Sequence, residues 1–315
     1  MDKMQRQTDK DLEELEKRLK REYKKAEKEV EERAIAYFNE FQERDKIMLQ
    51  KLRDGIITES EYKQWRMGRM MSGNRWVALR DNLAMDYAMA NKRSAGMIND
   101  SLFQTYANNY NYQIYLAERN GRVDTGFALY DKDAVIHALQ ETPDLIATAQ
   151  VNIPKNMRWN EQKITSAIAQ GILQGDSISH IADRLQSVKN MNQSSAIRNA
   201  RTLTTGAENG GRFNCSKRLE AAGVQQQKQW MATLDKRTRD SHRALDEEMV
   251  DMDQPFSNGL MYPGDPNMAH IKPEEVYNCR CRYVTQFKRW PSTFTRSTEA
   301  LGESYEDWKN GRRRI

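Results

Sequence analysis

The first 54 residues constrain the fold most, because they contain neither glycine nor proline. From Asp9 to Asp54 the chain is rich in Glu, Lys, Arg, Leu and Ala, a composition that favours helix. Apolar side chains recur at steps of three and four residues from Leu12 to Phe41, which makes an eleven-residue repeat rather than a heptad. Such a repeat keeps the apolar stripe nearly parallel to the helix axis. We predict one unbroken helix of roughly 45 residues, about 68 Å long, with a partner along most of its length.

The charges on the other faces of this helix are nearly balanced. Many Glu and Lys residues lie four positions apart, an arrangement that stabilises a solvated helix face. Helices that bind nucleic acid or lie on a membrane carry an excess of basic residues, so neither class fits this balance. The low mean hydropathy of −0.91 indicates helices with much solvated surface, or faces that meet partners.

Membrane spans and secretion signals are not indicated by this sequence. It lacks an apolar run of about eighteen residues, and its N-terminus is polar, so we expect a protein that stays in the cytoplasm or in a particle assembled there. The chain has three cysteines, two of them separated by a single residue. An odd number with that spacing does not make a disulfide framework and favours reduced thiols or metal ligands.

Residues 55–155 predict a helical region that meets partners. Gly55 ends the first helix, and Thr58 with Glu61 can cap the next one. The region is rich in Met, Trp and Tyr, and methionine suits adaptable contacts. Three of its tyrosines, near helical spacing, could stack on bases, although such residues more often fill a helix interface. They are Tyr106, Tyr110 and Tyr115.

Residues 156–224 predict a second helical region. The segment Asn152–Trp159 indicates a linker or hinge before it. Residues 160–173 are amphipathic, Gly175 interrupts them, and a further helix follows. Helix, glycine turn and helix also describe a DNA-reading helix-turn-helix, but the second helix offers little basic surface. The next helix, near residues 195–222, contains glycines that allow close packing or a break.

The stretch from Gln229 to Phe287 concentrates the rare residue types. Two of the three cysteines and two of the four histidines lie there, joined by a segment rich in proline and glycine. Residues 224–234 suit a strand, Asp235 can cap a helix over Lys236–Asp246, and the residues from Cys279 onward alternate as a half-buried strand does. We therefore predict a mainly α protein with a small C-terminal α+β module: a long N-terminal helix, a helical middle and a short antiparallel sheet near the C-terminus.

Two runs in this stretch carry a specific pattern. The first is W-M-A-T-L-D-K-R-T-R-D-S-H-R-A-L-D (residues 230–246). After it come a segment rich in proline and glycine (residues 255–266), called the Pro/Gly loop below, and then N-C-R-C (residues 278–281). Together with G-D-S-I-S-H-I-A-D-R-L and A-R-T-L-T-T-G-A-E-N-G-G-R upstream, this order resembles the phage Mu F-like domain of minor head proteins, also called the phage head morphogenesis family. The resemblance covers roughly residues 160–287. The residues that carry the pattern are Trp230, Thr233, Asp235, Arg237, Arg239, Asp246, Asn278 and Arg280.

The resemblance implies a minor capsid protein of a tailed phage, associated with the portal and needed for head assembly and for DNA packaging or delivery. Expected partners are the portal protein and the major capsid or scaffold protein, with no membrane before ejection and no small-molecule substrate. The expected location is the virion, in the head interior or at the portal vertex, after assembly in the host cytoplasm. The sequence departs from the family where a glycine usually follows the Leu-Asp pair, since Glu247 and Glu248 stand there. The turn at this point is expected to differ.

Four residues of the stretch are chemically suitable zinc ligands. Thiolate sulfur and imidazole nitrogen are the ligands that zinc prefers, and a Cys-x-Cys pair on a strand points both sulfurs to one face. Four protein ligands would close the coordination shell and make the site structural. The alternative is a pair of small buried cysteines and two hydrogen-bonding histidines. The predicted ligands are His242, His270, Cys279 and Cys281.

Catalysis by the same residues is a weaker interpretation. Either cysteine, with His242 as base and Asp235 or Asp246 as the orienting carboxylate, would make a nucleophilic arrangement. The sequence around Asn278 lacks the glycine pattern expected of an oxyanion site. The resemblance implies no enzymatic activity, and we expect none.

The C-terminal end is basic. Residues 282–315 contain eight Lys or Arg against four Asp or Glu. Such an end could bind the phosphates of packaged DNA with release of counterions. The alternative is a solvated flexible tail without a binding role. A DNA-binding protein that acts through its basic C-terminal helix and tail is therefore the alternative function. The residues proposed to bind nucleic acid are Arg312, Arg313 and Arg314.

The composition shifts divide the chain into five consecutive segments. They are a long N-terminal helix (1–54), a Met/Tyr-rich interaction region (55–155), a helical region preceding the module (156–224), the Mu F-like α+β module (225–290) and a basic C-terminal tail (291–315).

Overall fold

A computed structural model describes residues 2–126, 147–267 and 271–312. The described chain is mainly helical with small antiparallel sheets, as the sequence predicts. Its helices are α1 Lys3–Asn39, α2 Gln42–Arg53, α3 Glu59–Met70, α4 Gly73–Gly121, α5 Ile153–Gln174, α6 Ile178–Asp183, α7 Leu185–Ala221, α8 Asp240–Ala244, α9 Glu299–Gly302 and α10 Tyr305–Arg312. Its strands are β1 Val123–Asp124, β2 Gln225–Met231, β3 Met249–Asp251, β4 Arg282–Arg289 and β5 Thr295–Arg296. None of the described helices is both long enough and apolar enough to cross a lipid bilayer.

The chain forms two compact units, each built from segments distant in sequence. The helical unit comprises Glu16–Met97 and Gln150–Ile197, and the mixed unit comprises Met1–Leu15, Ile98–Ala149 and Arg198–Ile315. This division differs from the five consecutive segments expected from composition. The reason is that α1, α4 and α7 each contribute residues to both units, so no boundary follows a change in composition.

The apolar stripe of α1 is buried as predicted. Its members from Leu15 to Tyr37 are at most 8 % exposed, which is the expected result of an unbroken three-and-four spacing. The single unbroken helix is wrong, however, because α1 ends at Asn39 and α2 begins at Gln42. At the interruption Phe41 packs against Tyr37, with ring centroids 5.3 Å apart. No glycine or proline marks this break in the sequence.

Apolar helix faces form the core of the helical unit. Tyr23, Phe38 and Leu83 are each fully buried within it. A ladder of amides also crosses this core: the side chain of Asn91 donates to Asn192 at 2.6 Å, and Asn192 donates to Asn160 at 2.9 Å. Asn192 takes part in both bonds, whereas Nδ2 of Asn160 is buried without a hydrogen-bond partner among the described residues.

The predicted hinge at Asn152–Trp159 is instead the first turn of α5. Asn152 caps this helix by accepting a hydrogen bond from the Lys155 backbone N–H at 2.9 Å, and a proline occupies its first turn. Proline is favoured there because its missing N–H would be unpaired in any case. The helix-turn-helix alternative also fails, since α6 is only six residues long and Arg184, which follows it, pairs with Asp176.

Three tyrosines of the Met/Tyr-rich region are buried in the mixed unit. Tyr106, Tyr110 and Tyr115 are 2–3 % exposed, so they pack inside the chain and are not free to stack on bases. The segment predicted as a basic tail also reaches this core. Trp308 of α10 is 2 % exposed, and its indole N–H donates to Glu118 at 2.9 Å.

The C-terminal module, residues 225–290, contains a three-stranded antiparallel sheet in the order β3-β2-β4. In its register Trp230 lies opposite Tyr283, and both side chains are fully buried. A separate hydrophobic cluster lies beneath the sheet and includes Phe256 and Leu260 from the Pro/Gly loop. The loop therefore supplies part of the core of the module, and α8 flanks the sheet as predicted.

Candidate functional site

The C-terminal module brings one histidine and two cysteines together. His242 lies on α8, whereas Cys279 and Cys281 lie immediately before β4, so the cysteines precede the strand on which they were predicted. Each of the three side chains is at most 2 % exposed. The Nδ1 atom of His242 lies 3.6 Å from Sγ of Cys279 and 3.4 Å from Sγ of Cys281. The three donor atoms lie within 4.8 Å of one another.

A carboxylate orients the histidine from its other side. Nε2 of His242 lies 3.0 Å from Oε2 of Glu275, which leaves Nδ1 facing the sulfurs. Ser241 donates a hydrogen bond to the same carboxylate at 3.1 Å. An imidazole held in this way by a carboxylate has a fixed ring orientation. Glu275 was not predicted, although it stands only four residues before Cys279 in a short 3₁₀ turn.

A hydrogen bond between the two thiols shifts their pKa values in opposite directions. The hydrogen bond from Cys279 lowers the pKa of Cys281 to about 5, and His242 favours the same thiolate. That same hydrogen bond, together with burial, raises the pKa of Cys279 well above its ordinary value. A backbone N–H also faces a sulfur, since Cys281 donates to Sγ of Cys279 at 3.4 Å. The pair thus holds negative charge on sulfur more readily than two isolated buried thiols would.

One face of α7 fixes the backbone that carries the cysteines. The Thr202 hydroxyl accepts from the Asn278 N–H at 2.9 Å, and the Thr205 hydroxyl donates to the Cys279 carbonyl at 2.7 Å. The Asn209 amide donates to the Cys281 carbonyl at 3.3 Å. The spacing of these three polar residues, three and then four positions, places them on one helix face. Sequence reasoning missed them because their partners are backbone atoms more than 70 residues away.

The residues around Asp235 make contacts that differ from the predicted helix cap. Asp235 does not cap α8, whose N-cap residue is Arg239, and the helix covers only Asp240–Ala244 rather than Lys236–Asp246. The Asp235 carboxylate pairs instead with the Arg280 guanidinium, at 2.5 and 2.7 Å, and accepts a hydrogen bond from the Arg237 backbone N–H at 2.8 Å. These bonds hold the pKa of the Asp235 carboxyl well below its usual range.

Other residues of the pattern tie neighbouring segments together. The Thr233 hydroxyl donates to the Arg280 carbonyl at 2.7 Å, and Asp246 accepts from the Ala232 N–H at 2.8 Å. Arg239 donates to the backbone carbonyl of residue 277. The Arg237 side chain itself is exposed. Most of the pattern therefore connects the segment after β2 to the segment before β4.

Trp230 packs directly on the histidine. The two rings meet edge to face with centroids 5.5 Å apart, and the rings of Trp230 and Phe256 also meet edge to face, with centroids 5.0 Å apart. The aromatic contact is consistent with the burial of His242, which is 1 % exposed.

The turn after the Leu-Asp pair keeps the shape that glycine favours. Glu247 has a φ of 67°, which lies in the left-handed region where a side chain is disfavoured. Its backbone N–H donates to the Trp230 carbonyl at 3.0 Å. Glu247 therefore adopts a left-handed conformation of the kind that glycine favours, and whether the turn differs from that of the family stays a prediction.

Several predicted site residues are not placed. His270, Arg313 and Arg314 lie outside the described residues, and the side chain of Arg312 is likewise not described. Their predicted roles in metal and nucleic-acid binding stay predictions.

A buried ionic cluster next to the site was not predicted. Arg282, the residue after Cys281, donates to Glu208 at 2.8 Å and also pairs with Asp9. Arg212 pairs with Asp2 at 2.7 Å. Burial by itself would raise the pKa of Asp2, but Arg212 holds it below its ordinary value. The first turns of α1 are thereby joined to the end of the module within the mixed unit.

Comparison with known proteins finds a family model that matches the part of the chain containing this site. Residues 162–284 match the family model described as Phage Mu protein F like protein. The chain is 30 % identical over 209 residues to the minor head protein GP7 of Bacillus phage SPP1, covering 65 % of this chain and 65 % of that protein. It is 27 % identical over 151 residues to the NAD(+)--arginine ADP-ribosyltransferase EFV of Enterococcus faecalis, covering 47 % of this chain and 31 % of that protein.

These likenesses are partial. The chain spans less than two thirds of the length of either relative. The two alignments together exceed the length of this chain, so part of the chain is similar to both proteins. No solved structure matches.

Proposed function

We propose that this chain is a minor capsid protein of a tailed phage that acts in head morphogenesis, because residues 162–284 match the family model described as Phage Mu protein F like protein. The observation that carries the proposal is the 30 % identity over 209 residues with a phage minor head protein. That alignment is longer than the family match and therefore includes residues outside it.

We propose that the protein works by binding portal, major capsid or scaffold subunits during head assembly and during DNA packaging or delivery. Its location would be the virion, in the head interior or at the portal vertex, after assembly in the host cytoplasm. Helix α2 supports a binding role because none of its residues is buried. Ile47 on α2 is 59 % exposed, and Ile56 just after it is 67 % exposed. Exposed apolar side chains of this kind are available to a partner.

We propose binding rather than catalysis for the histidine and cysteine site. Cys281 next to His242 resembles a nucleophile beside a base, but both side chains are at most 2 % exposed and are covered by Trp230. A substrate would have no access to the sulfur in this structure. The likeness to the transferase covers 31 % of that protein, which is too small a share to carry its activity.

The alternative function is DNA binding through the basic C-terminal helix and tail. Its support is the excess of Lys and Arg in residues 282–315. The two functions differ in how they respond to salt. DNA binding through phosphates weakens steeply as salt rises and needs no capsid partner, whereas an interface that contains Ile47 and Ile56 would change little.

The test is co-expression with the portal and major capsid proteins of the same phage, followed by purification of the assembled particles. We expect the chain to remain on the particles and to be recovered with portal subunits. Replacing Ile47 and Ile56 with Glu should reduce recovery by roughly tenfold, the size expected for loss of one well-packed apolar anchor. Leu234→Glu is the matched control, since Leu234 is 62 % exposed in the module.

The result of this test separates the candidates. Loss of binding only in the Ile47/Ile56 variant assigns the interface to the helical unit, and loss only in the Leu234 variant assigns it to the module. A chain that never accompanies particles, yet binds DNA with a steep salt dependence, would replace the head-protein proposal with the alternative.

A further inference from the structure

We propose that His242, Cys279 and Cys281 bind one zinc ion, which fastens α8 to the segment before β4. This site goes beyond the role in head assembly and can be tested in the isolated chain. It rests on the donor chemistry, on the distances between the donors and on the groups that surround them.

The distances fit one tetrahedral ion. With Zn–S bonds of about 2.3 Å and a Zn–N bond of about 2.05 Å, a tetrahedral angle separates sulfur from nitrogen by about 3.6 Å. The observed separations from Nδ1 of His242 are 3.6 Å to Cys279 and 3.4 Å to Cys281. A hydrogen bond from a thiol to an imidazole nitrogen would also place one sulfur at about this distance. It would not explain why both sulfurs lie close to the same nitrogen, because that nitrogen accepts only one hydrogen bond.

The surroundings of the donors are those of a metal site. Glu275 occupies the far nitrogen of His242 at 3.0 Å, and a carboxylate in this position fixes the tautomer that presents Nδ1 to a metal. The Cys281 N–H faces Sγ of Cys279, and a backbone N–H of Thr233 faces Cys281. Hydrogen bonds of this kind stabilise thiolates, which are the form that binds metal.

The donor set selects the class of metal. Two sulfurs and one imidazole suit zinc, whereas magnesium and calcium require oxygen ligands. The three donors leave one position of a four-coordinate shell. Because all three are buried, the site is closed to substrates and its role is structural.

A structural ion accounts for how a small module stays folded. The C-terminal module contains one short sheet and one five-residue helix, and units of this size bury little apolar surface. His242 lies 37 residues before Cys279 and 39 residues before Cys281. An ion bound to all three would therefore link the two ends of the segment that contains the Pro/Gly loop.

The first experiment measures metal content. The full chain, carrying no histidine tag, is purified from zinc-supplemented medium and analysed by elemental mass spectrometry, with an expected content of about one zinc per chain. Replacement by Co²⁺ should give the visible spectrum of a tetrahedral ion together with a sulfur-to-cobalt charge-transfer band. Mg²⁺ and Mn²⁺ serve as competing probes and should not displace zinc.

Variants assign the ligands. Cys281→Ser and Cys279→Ser should lose zinc, whereas Cys215→Ser should retain it, because Cys215 is equally buried but lies in another part of the core. Glu275→Gln keeps an oxygen acceptor for the histidine and loses the charge. We expect it to retain zinc with an affinity at least roughly tenfold weaker, as measured by competition with a chelating dye.

Several outcomes would overturn the proposal. One is a zinc content below about 0.1 per chain with no cobalt spectrum. Another is retention of zinc in both single cysteine variants, and a third is equal loss in Cys215→Ser. Should the cysteine variants fail to fold, X-ray absorption of the zinc-loaded natural chain still decides, because a first shell without sulfur contradicts the assignment and one with two sulfurs supports it.

Discussion

The helical unit and the C-terminal module are stabilised by different kinds of contact. In the helical unit, apolar side chains repeated along α1 and α4 bury each other, and residues such as Leu83 and Tyr87 are fully buried. The module also has a buried apolar cluster, but polar groups with specific partners add to it: the site around His242, the Asp235–Arg280 pair and the three side chains of α7 that bind the backbone of the module.

This difference predicts which kind of change will destabilise each region. Burial of apolar area is distributed over many residues, so its loss is graded. A contact between specific groups is lost entirely when one partner is removed, and the remaining buried group is then left unpaired. We therefore expect the helical unit to respond to changes of volume, and the module to respond to metal, charge and backbone conformation.

Metal removal should have the largest effect. If free zinc is kept at about a thousand times its Kd, binding stabilises the module by about 4 kcal/mol, so a zinc chelator should remove that amount. Hydrogen exchange should accelerate in β2 and β4 and remain unchanged in the helical unit. Cys281→Ser should already exchange rapidly and should not respond to chelator. Equal acceleration in both units would contradict the contrast between them.

Truncating a core leucine tests the other side of the comparison. Leu83→Ala removes a fully buried side chain from the helical unit and should cost about 3 kcal/mol, because a cavity remains. Leu173 lies in the same unit but is 54 % exposed, so Leu173→Ala should cost less than about 0.5 kcal/mol. Denaturant unfolding monitored by hydrogen exchange in residues 16–97 measures both. A loss of stability in Leu173→Ala as large as in Leu83→Ala would show that burial does not control this unit.

Backbone contact between α7 and the Pro/Gly loop should give the next largest effect. A Cβ added at Gly206 would lie 2.7 Å from the Gly264 carbonyl oxygen, so Gly206→Ala should destabilise the mixed unit by about 2 kcal/mol through overpacking. Gly96 lies on an exposed face of α4 with open space around it. Gly96→Ala should stabilise by up to about 1 kcal/mol. Thermal unfolding of both variants checks the opposite signs, and equal signs would refute the contact.

The predictable parts of the fold are those with local causes. The stripe of α1 was predicted because its period is visible over any few turns, and the cap of α3 because Thr58 and Glu61 are three residues apart. The interruption near Phe41 was not predicted, since no glycine or proline marks it. The wrong cap at Asp235 has a similar origin, because Arg280, 45 residues away, holds the carboxylate.

The grouping of His242, Cys279 and Cys281 in the site could be predicted from rare residue types alone. The groups that position them could not. Glu275 is one of many glutamates in the chain, and Thr205 binds a backbone carbonyl, which carries no sequence signal. The glycines of α7 were expected either to pack closely or to break the helix, and the structure selects close packing.

A buried lysine should make the stability of the module depend on pH. Lys228 in β2 is fully buried, and its ammonium donates to the Met252 carbonyl at 3.2 Å. Burial lowers its pKa to about 8, whereas an unfolded lysine has a pKa of about 10.4. Above pH 8 the folded protein has lost a proton that the unfolded chain retains, so folding becomes more favourable as pH rises towards about 10.

Lys228→Met should remove this response. The stability of the natural protein relative to the variant should increase by more than about 1 kcal/mol between pH 7 and pH 10, as measured by denaturant unfolding of the mixed unit. Lys272→Met is the control, because the Lys272 side chain in the same module is 78 % exposed and its removal should not change the pH dependence. A difference that is constant with pH would show that Lys228 is neutral or solvated in the folded protein.

The smallest expected effect is a gain in stability when Glu247 is replaced by glycine. Its left-handed conformation, with φ of 67°, costs about 1 kcal/mol for a residue with a side chain, partly offset by the greater freedom of glycine in the unfolded chain. Glu247→Gly should therefore stabilise the module by up to about 1 kcal/mol in thermal unfolding. The neighbouring Glu248→Gly should act in the opposite direction, because the Glu248 carboxylate accepts hydrogen bonds from Ser257 at 2.7 and 2.9 Å. If Glu247→Gly is destabilising, the side chain rather than the backbone determines this turn, and the module would then depend on contacts that its backbone conformation does not explain.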